Sequence, residues 1–213
     1  FVGKNGAGKT TTLKACMGII TITEGDILLD GISVVKEPIV CKRKMAYVPD
    51  TPRLEEYMTG MQYLNFVCDI YQISAKERKQ NIERLIHAFQ MEPHISGLIS
   101  SYSHGMKQKV ALIAAFSHNP KLLVLDEPFV GLDPEAFIAL KEQMKMLCRK
   151  GSSVLFSSHI LDVVEKLCNK ISIIKDGRLL YSGTTEELIG VEGLEEAFME
   201  LNSNESFDPS IEK

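Results

Sequence analysis

Residues 3–10 read Gly3-Lys4-Asn5-Gly6-Ala7-Gly8-Lys9-Thr10 and match the pattern G-x-x-x-x-G-K-[ST] at every position. Glycines let a backbone curl so that successive N–H groups point into one anion-binding nest. A helix that begins near Lys9 adds its positive end at the same place. Lys9 is placed to reach the β- and γ-phosphates of a nucleotide, and the Thr10 hydroxyl to hold Mg²⁺. The segment therefore predicts a binding site for a nucleoside triphosphate.

The residues on either side of this loop predict its setting. Phe1-Val2 resembles the end of a buried strand, and apolar residues from Leu13 to Ile20 recur at helical spacing. Strand, loop and helix in that order are the context in which the motif binds phosphate. Because a domain does not comfortably begin one residue before such a loop, we expect the chain to be a fragment of a longer protein that supplies the rest of the strand.

Composition narrows the class of protein. With 45% hydrophobic and 24% charged residues, the 213-residue chain has the balance of a globular protein, which argues against wholesale disorder. The net charge of −4 leaves no basic excess for nucleic acid. Five cysteines without C-x-x-C spacing predict reduced thiols in the core, with neither disulfides nor zinc. No apolar run approaches the roughly 20 residues that cross a bilayer, so a membrane would be reached through a partner.

Strand and helix patterns alternate along the chain, which predicts an α/β fold with a mostly parallel sheet. The run Leu122–Leu125 is apolar throughout, as expected of a parallel strand covered on both faces. A further helix is predicted after Asp133-Pro134, where Asp133 can cap and Pro134 suits the first turn. The predicted strands are Ile27–Asp30, Met45–Val48, Leu122–Asp126, Val154–Ser157, Ile171–Lys175 and Arg178–Ser182.

One block lacks strands and predicts an inserted helical subdomain. No convincing strand occurs from about Tyr57 to Phe116, while Ala75–Met91 has the pattern of a charged amphipathic helix. The predicted domains are accordingly residues 1–54 with 117–190 for the nucleotide-binding core, 55–116 for the helical subdomain, and 191–213 for a C-terminal helix and tail. The last stretch, Asn202–Lys213, is polar enough to be a loose tail.

Candidate catalytic groups follow two of the predicted strands. Asp126 and Glu127 end an apolar strand, where carboxylates open into the ligand crevice of a parallel sheet. Asp126 is suited to holding Mg²⁺, and Glu127 to polarising an attacking water as a general base. His159 follows another strand, where a contact with a γ-phosphate is available. Alone, an Asp-Glu pair is equally consistent with a solvated strand end, and a lone histidine is more often structural; the complete phosphate loop favours the functional interpretation.

A third motif makes the pattern specific. Tyr102-Ser103-His104-Gly105-Met106-Lys107-Gln108-Lys109 resembles the signature motif of ATP-binding cassette (ABC) proteins in its S-x-G-M-K-Q-K form. The order of phosphate loop, signature, Asp126-Glu127, Gly131-Leu132-Asp133 and His159 is that of the ABC ATPase family over about residues 1–190. The segments Pro49–Pro52, Ser103–Lys109 and Asp126–Pro134 are most similar to the bacterial ABC-2-type exporter branch, which includes the Ecs-type ATPases.

This resemblance implies a fold, a reaction and partners. The fold is that of P-loop NTPases (RecA-like), with helices on both faces of the sheet and an accessory antiparallel sheet that is incomplete here. The cofactors are ATP and Mg²⁺. Two such domains, identical or different, pair head to tail so that each phosphate loop faces the partner's signature. The pair drives a separate integral membrane permease from the cytoplasmic face of the membrane, and the branch implies export.

The resemblance also assigns residues. The catalytic residues are Glu127, His159 and Lys9, and the metal ligands are Thr10, Asp126 and Asp50. The nucleotide-binding residues are Gly3, Lys4, Asn5, Gly6, Ala7, Gly8, Lys9, Thr10, Thr11, Asp50, Ser103, Gly105, Met106 and Asp133, of which Asp133 helps to couple the two nucleotide sites.

Two positions depart from the family pattern, and some alternatives stay open. Asp50 stands where the family usually has Gln, which keeps an oxygen ligand but shortens its reach; His104 stands where glycine is common. The family's adenine-stacking aromatic lies upstream of the phosphate loop, outside this sequence, so we expect ATP to bind more weakly to this chain than to a longer one. The alternatives are an ABC ATPase of translation or DNA repair, and a regulatory module that binds ATP without turnover.

Overall fold

The computed structural model describes residues 1–189 and 193–203. The chain forms two compact units. The first unit comprises Phe1–Leu13 and Ser157–Lys213, and the second comprises Lys14–Phe156. Residues 190–192 and 204–213 lie outside the described residues, and most of the predicted loose tail falls there.

The helices and strands alternate as the sequence predicts. A short 3₁₀ turn, Ile99–Ser101, precedes α5. In chain order the elements are α1 (Lys9–Cys16), β1 (Leu28–Leu29), β2 (Ile32–Ser33), α2 (Pro38–Lys42), β3 (Met45–Val48), α3 (Gly60–Ile70), α4 (Ala75–Ala88), α5 (His104–Ser117), β4 (Leu122–Leu125), α6 (Pro134–Arg149), β5 (Ser153–Phe156), α7 (Leu161–Leu167), β6 (Lys170–Lys175), β7 (Arg178–Thr184), α8 (Thr185–Ile189) and α9 (Leu194–Ser203).

The second unit is built on a parallel sheet in the order β3-β4-β5. The central strand β4 consists of Leu122, Leu123, Val124 and Leu125, of which the last three are fully buried. A strand that has neighbours on both edges and helices over its faces is shielded from solvent on both faces. Its sequence is therefore apolar throughout. Strand β4 ends one residue earlier than predicted, because Glu127, with a φ of 46°, turns the chain out of the extended conformation.

Three helices, α3, α4 and α5, fill the chain between β3 and β4. Thr59 and Gln62 form a capping box at the start of α3, and Ser74 caps α4. The charged helix ends at Ala88 rather than at Met91, because Gln90 takes a left-handed φ of 55°. The helical content of this block is confirmed, while the domain boundaries at 55 and 116 stay a prediction.

A hairpin of β1 and β2 also belongs to the second unit. Its turn residues Asp30 and Gly31 both have positive φ, 50° and 78°, which is the conformation of the tight turns that join antiparallel strands. The predicted strand Ile27–Asp30 is therefore shortened to two residues, and β2 was not predicted.

The first unit contains the antiparallel pair β6 and β7. Val2 makes isolated parallel bridges to Ser158 and to Ile173, so the residue before the phosphate loop lies between the two segments that contain them. Helices α7 and α8 both contact α9, whose Leu194 is fully buried.

The cysteines and the helix lengths complete the description. All five cysteines are free; Cys41 and Cys68 are buried, as predicted, but Cys148 is exposed on α6, so the prediction that the thiols fill the core is wrong for that residue. Within residues 1–189 and 193–203, no helix is long and apolar enough to cross a membrane.

Candidate nucleotide site

The phosphate loop lies directly after a short extended segment of the first unit. The Val2 amide donates a hydrogen bond to the Ser172 carbonyl at 2.8 Å, and the Val2 carbonyl accepts one from the Ile174 amide at 2.8 Å. Gly3 follows at once, and a Cβ at that position would lie 2.5 Å from the Ile174 carbonyl oxygen. No side chain fits there, because backbone cannot give way as a flexible side chain can. The first glycine of the motif is thus required by packing.

The loop itself is held in a curled conformation. Gly6 and Gly8 have φ values of 83° and 104°, which side chains disfavour. The Ala7 amide donates to the Lys4 carbonyl at 3.1 Å, and the Ala7 carbonyl accepts from the Gly177 amide at 2.9 Å. The turn between β6 and β7 therefore supports the loop in its nest shape.

Lys9 begins α1 and is folded over the loop. Its ammonium donates to the carbonyl of Gly3 at 2.7 Å and to that of Lys4 at 3.3 Å. Its side chain is buried, with 7% exposure. A buried charge needs such partners, so the ammonium is positioned beside the N-terminus of α1, where anions are favoured. Lys4, Asn5, Gly6 and Thr11 are exposed, and Thr10 is half-buried.

His159 lies next to the strand that precedes the loop. The Ser158 amide donates to the Phe1 carbonyl at 3.1 Å, and Ser158 is bridged to Val2. His159 follows Ser158 directly and is exposed. In the first unit, the structure therefore brings the backbone of His159 alongside the residues that lead into the phosphate loop.

The two carboxylates end β4 in the second unit. Asp126 is fully buried, and its amide donates to the Val48 carbonyl at 2.9 Å. Glu127 is half-buried and takes a left-handed φ of 46°, which is unusual for a residue that has a Cβ. Non-glycine residues in this conformation cluster at functional sites, where the surrounding structure holds them.

Asp50 and Tyr47 belong to the neighbouring strand and its following loop. Asp50 is exposed, and one of its carboxylate oxygens accepts from the Thr51 amide at 2.8 Å. Desolvation, together with the negative charges of Asp126 and Asp50, raises the pKa of Tyr47 to about 12. The second unit thus brings a phenol into the neighbourhood of these two carboxylates.

The signature residues lie at the start of α5. Ser103 is the N-cap, and its hydroxyl accepts from the Met106 amide at 3.2 Å. Ser103 is exposed, while Gly105 and Met106 are half-buried. A Cβ at Gly105 would lie 2.9 Å from the Gly131 carbonyl oxygen, so this glycine is required by the approach of another backbone.

The segment that contains Gly131 and Asp133 is attached to the same helix. Asp133 caps α6 by accepting from the Ala136 amide at 2.8 Å, and it forms a 2.6 Å ion pair with Lys109 of α5. The hydrogen bond from Lys109, with that from the Ala136 amide, lowers the pKa of Asp133. A Cβ on Gly131 would lie 3.0 Å from the His104 ring, so the imidazole packs on this glycine.

The predicted site residues thus fall into three groups. Lys9 and the loop lie with His159 in the first unit; Asp126, Glu127 and Asp50 lie at the ends of neighbouring strands in the second; and Ser103, Gly105 and Met106 lie at the end of α5 that contacts Gly131 and Asp133. Sequence reasoning missed Tyr47 and the role of Lys109. No local signal could have indicated Tyr47, because it shares a face with Asp126 only once β3 and β4 are in register.

Comparison with known proteins identifies the family. A family model described as ABC transporter matches residues 1–130, more than half of the chain. The ABC-type transporter ATP-binding protein EcsA of Bacillus subtilis (strain 168) is 36% identical over 200 residues, covering 94% of this chain and 81% of that protein. NatA, an ABC transporter ATP-binding protein of the same organism, is 33% identical over 189 residues, covering 88% of this chain and 77% of that protein.

A third relative and a solved structure agree. The linearmycin resistance ATP-binding protein LnrL of Bacillus subtilis (strain 168) is 32% identical over 210 residues, covering 93% of this chain and 68% of that protein. A solved structure titled as the ATP binding subunit of an ABC transporter superposes with a TM-score of 0.91 at 35% identity, covering 94% of this chain and 86% of that one. The predicted P-loop NTPase (RecA-like) fold, ATP hydrolysis and a function in transport are thereby confirmed. The chain belongs to the ABC transporter family, as an ATP-binding subunit that hydrolyses ATP.

Proposed function

We propose that the chain pairs with a second nucleotide-binding domain around two ATP and Mg²⁺, and that this dimer drives a separate integral membrane permease that exports its substrate. The start of α5 carries this proposal. Ser103 is exposed beside Gly105 at a helix N-terminus, which favours phosphate. The chain has a complete phosphate loop for its own nucleotide, so this second anion-binding surface suits the nucleotide of a partner, whether that is a copy of this chain or a different one.

The phosphates would be bound by the loop Gly3–Thr10 and by Thr11. The ammonium of Lys9 lies against two loop carbonyls, and a phosphate oxygen is a stronger partner for it than a carbonyl because it is charged. The signature residues Ser103, Gly105 and Met106 would contact the nucleotide of the partner, and Asp133 would couple the two sites.

The donor set fits Mg²⁺. Carboxylate and hydroxyl oxygens are hard ligands, and Mg²⁺ is usually bound by one or two carboxylates together with substrate phosphates. Among the described residues, no group of three or more His, Cys, Asp or Glu side chains could hold a metal ion. Thr10, Asp126 and Asp50 would hold Mg²⁺, and the metal would supply charge neutralisation for the phosphates.

Hydrolysis would use Glu127 and His159. The carboxylate of Glu127 would orient the attacking water and accept its proton. His159 would contact the γ-phosphate and sense its departure. Loss of that phosphate removes contacts at the dimer interface, which lets the two domains separate.

A groove of about 880 Å³ in the second unit offers a place for the permease. Its wall includes the loop Pro49–Leu54, Tyr63 and Ile70 of α3, and Ala111 of α5. Asp50 belongs to this loop and would lie near the metal. A movement of Asp50 would therefore be transmitted to a permease segment bound in the groove. The movement would be transmitted through residues from Asp50 to Phe66.

The relatives support an exporter. EcsA and NatA are named as transporter ATP-binding proteins, and LnrL is named for resistance to linearmycin. Removal of a toxic compound from the cell is one way to become resistant to it, and that is export. In this arrangement the chain would lie at the inner face of the cell membrane, held there by its permease.

Glu127→Gln tests the proposal. This variant keeps the phosphate loop but lacks the base, so we expect ATP binding to persist and turnover to fall by about 10²–10⁴-fold. With ATP and Mg²⁺ it should accumulate as a dimer in size-exclusion chromatography, because the contacts made by the γ-phosphate are not removed. Glu142→Gln, an exposed residue of α6, is the matched control and should behave as wild type. Normal hydrolysis by Glu127→Gln would refute the base assignment, and a monomer in the presence of ATP would refute the pairing.

A further inference from the structure

Tyr47 is placed between the groove and the carboxylate end of the sheet. It lies on β3 opposite Val124 of the parallel strand β4. Side chains two residues apart on a strand share a face, so Tyr47, Val124 and Asp126 point to the same side of the sheet. The ring of Tyr47 also forms part of the groove wall. One side chain therefore connects the surface of the groove with the neighbourhood of Asp126.

The hydroxyl of Tyr47 is buried and has no hydrogen-bond partner within residues 1–189 and 193–203. The residue as a whole is only half-buried, yet its hydroxyl oxygen is buried. A buried hydroxyl that is not hydrogen-bonded is destabilising, and native proteins contain few of them. Another tyrosine of the groove, Tyr71, bonds its hydroxyl to the Met45 carbonyl at 3.1 Å, so the groove does not by itself prevent such a bond.

The charges near this hydroxyl indicate what it can do. The carboxylates of Asp126 and Asp50 lie close enough to act electrostatically on the Tyr47 phenol. A phenol keeps its proton at neutral pH and can donate it in a hydrogen bond. The acceptors of greatest strength in its neighbourhood are carboxylate oxygens.

We propose that Tyr47 is a positioning residue for ATP hydrolysis: in the nucleotide-loaded protein its hydroxyl donates a hydrogen bond to the carboxylate of Asp126, directly or through one water. The inference rests on the proposed function, in which Asp126 is a ligand of the metal. A hydrogen bond on one carboxylate oxygen fixes the orientation in which the other oxygen faces the nucleotide. Tyr47 acts through Asp126 and does not touch the nucleotide.

The position of the ring adds a consequence. Because the ring forms part of the groove wall, a permease segment that fills the groove presses on the same side chain that orients Asp126. Occupancy of the groove then changes hydrolysis without any contact between the permease and the nucleotide.

Tyr47→Phe tests the proposal because it removes only the hydroxyl. Steady-state ATPase activity and thermal unfolding are measured on the full-length protein, without ligand, with Mg²⁺ alone, and with Mg²⁺ and a non-hydrolysable ATP analogue. We expect kcat to fall about three- to tenfold, the effect of one hydrogen bond, with KM for ATP changed less than about twofold. The ligand-free unfolding midpoint should be unchanged or higher, because the lost hydroxyl has no hydrogen-bond partner among the described residues. The analogue should stabilise the variant less than the wild type.

Tyr181→Phe is the matched control. It removes the same group from β7, where the hydroxyl donates to the Thr184 carbonyl at 3.2 Å outside the proposed site, and it should leave kcat and KM unchanged. A wild-type kcat in Tyr47→Phe would overturn the inference. So would a lower ligand-free midpoint accompanied by an unchanged response to the analogue, since that combination describes a purely structural residue.

A double variant asks whether Tyr47 acts through Asp126. In an Asp126→Asn background, Tyr47→Phe should have little further effect on stabilisation by the analogue, because residues in one network are not additive. Additive losses would overturn the inference. Failure of the proposed function is distinguishable, since Glu127→Gln would then hydrolyse ATP normally whatever the behaviour of Tyr47→Phe.

Discussion

At the scale of single residues, the backbone at Glu127 stores strain where the proposed chemistry takes place. A φ of 46° brings Cβ close to neighbouring backbone atoms, which costs about 1 kcal/mol or more for a residue other than glycine. The conformation turns the chain sharply after β4.

This strain predicts an order of stabilities. Glu127→Ala and Glu127→Gly both lack the carboxylate, but only alanine has the Cβ that the left-handed backbone disfavours. We expect the free energy of unfolding of Glu127→Gly to exceed that of Glu127→Ala by about 1 kcal/mol, measured by urea denaturation without nucleotide. Equal stabilities would mean that the backbone relaxes in the alanine variant and that position 127 is not strained.

Single-residue roles were predictable where a motif fixes them and not elsewhere. The helix start at Lys9 and the cap at Asp133 follow from short-range rules and are confirmed. The roles of the catalytic and metal-binding residues stay predictions. Tyr47 could not be found from its own neighbours in sequence, because its significance comes from the register between β3 and β4, which no local pattern gives.

At the scale of elements, an ion pair links α5 to the start of α6. Lys109 and Asp133 form an ion pair, and Asp133 also caps α6. The aspartate is about half exposed, which limits what the ion pair contributes. The cap and the ion pair use different oxygens of one carboxylate, so substitutions can separate them.

Asp133 gives a prediction that depends on pH. Asp133→Ala should lower the free energy of unfolding by about 1 kcal/mol at pH 7, whereas Asp133→Asn, which keeps a capping oxygen, should lower it less. The pKa of Asp133 lies below its ordinary value of 3.8, so its stabilisation is present above about pH 4 and is lost as the pH falls through the folded-state pKa. The gap between wild type and Asp133→Asn should therefore narrow as the pH falls below about 4, as measured by urea denaturation from pH 7 to pH 3. A gap independent of pH would contradict the ion pair.

Boundaries of elements were less predictable than their order. The strands β3 and β4 were expected almost as found, since their apolar runs are unbroken. Of the hairpin formed by β1 and β2, only the first strand was predicted. Two-residue strands are too short to show alternation, and only the turn at Asp30-Gly31 indicates them. Helix α2 has only five residues and was not predicted.

At the scale of the whole molecule, the groove makes the permease contact testable. Ile70, at the end of α3, is 59% exposed and forms part of the groove wall. Ile70→Asp places a charge where an apolar partner surface would pack, so we expect co-purification with the permease to fall at least tenfold. The unfolding midpoint should change little, because the side chain is mostly in solvent. Ile138→Asp, a residue of α6 that is 62% exposed outside the groove, is the control and should keep the permease bound.

The chain carries both a phosphate loop, before α1, and a signature, on α5, and this has a genetic consequence. If every nucleotide lies between the loop of one chain and the signature of the other, two defective alleles can rescue each other. Lys9→Ala removes the lysine of the phosphate loop. Gly105→Ala brings a Cβ to within 2.9 Å of the Gly131 carbonyl oxygen and thereby disrupts the signature motif. A mixed dimer of the two concentrates both defects in one nucleotide site and leaves the other site intact.

Complementation between these alleles is therefore expected in a homodimer. Each variant alone should be inactive, yet an equimolar mixture that exchanges subunits should recover about a quarter of wild-type ATPase activity, since half of its dimers are mixed and each has one sound site. A mixture as inactive as its parents would place loop and signature around the same chain's nucleotide, or would require both sites to be sound for any turnover. Recovery would show that each ATP is bound by the loop of one chain and the signature of the other. Rescue of one allele by the other in a merodiploid cell would then report this arrangement directly.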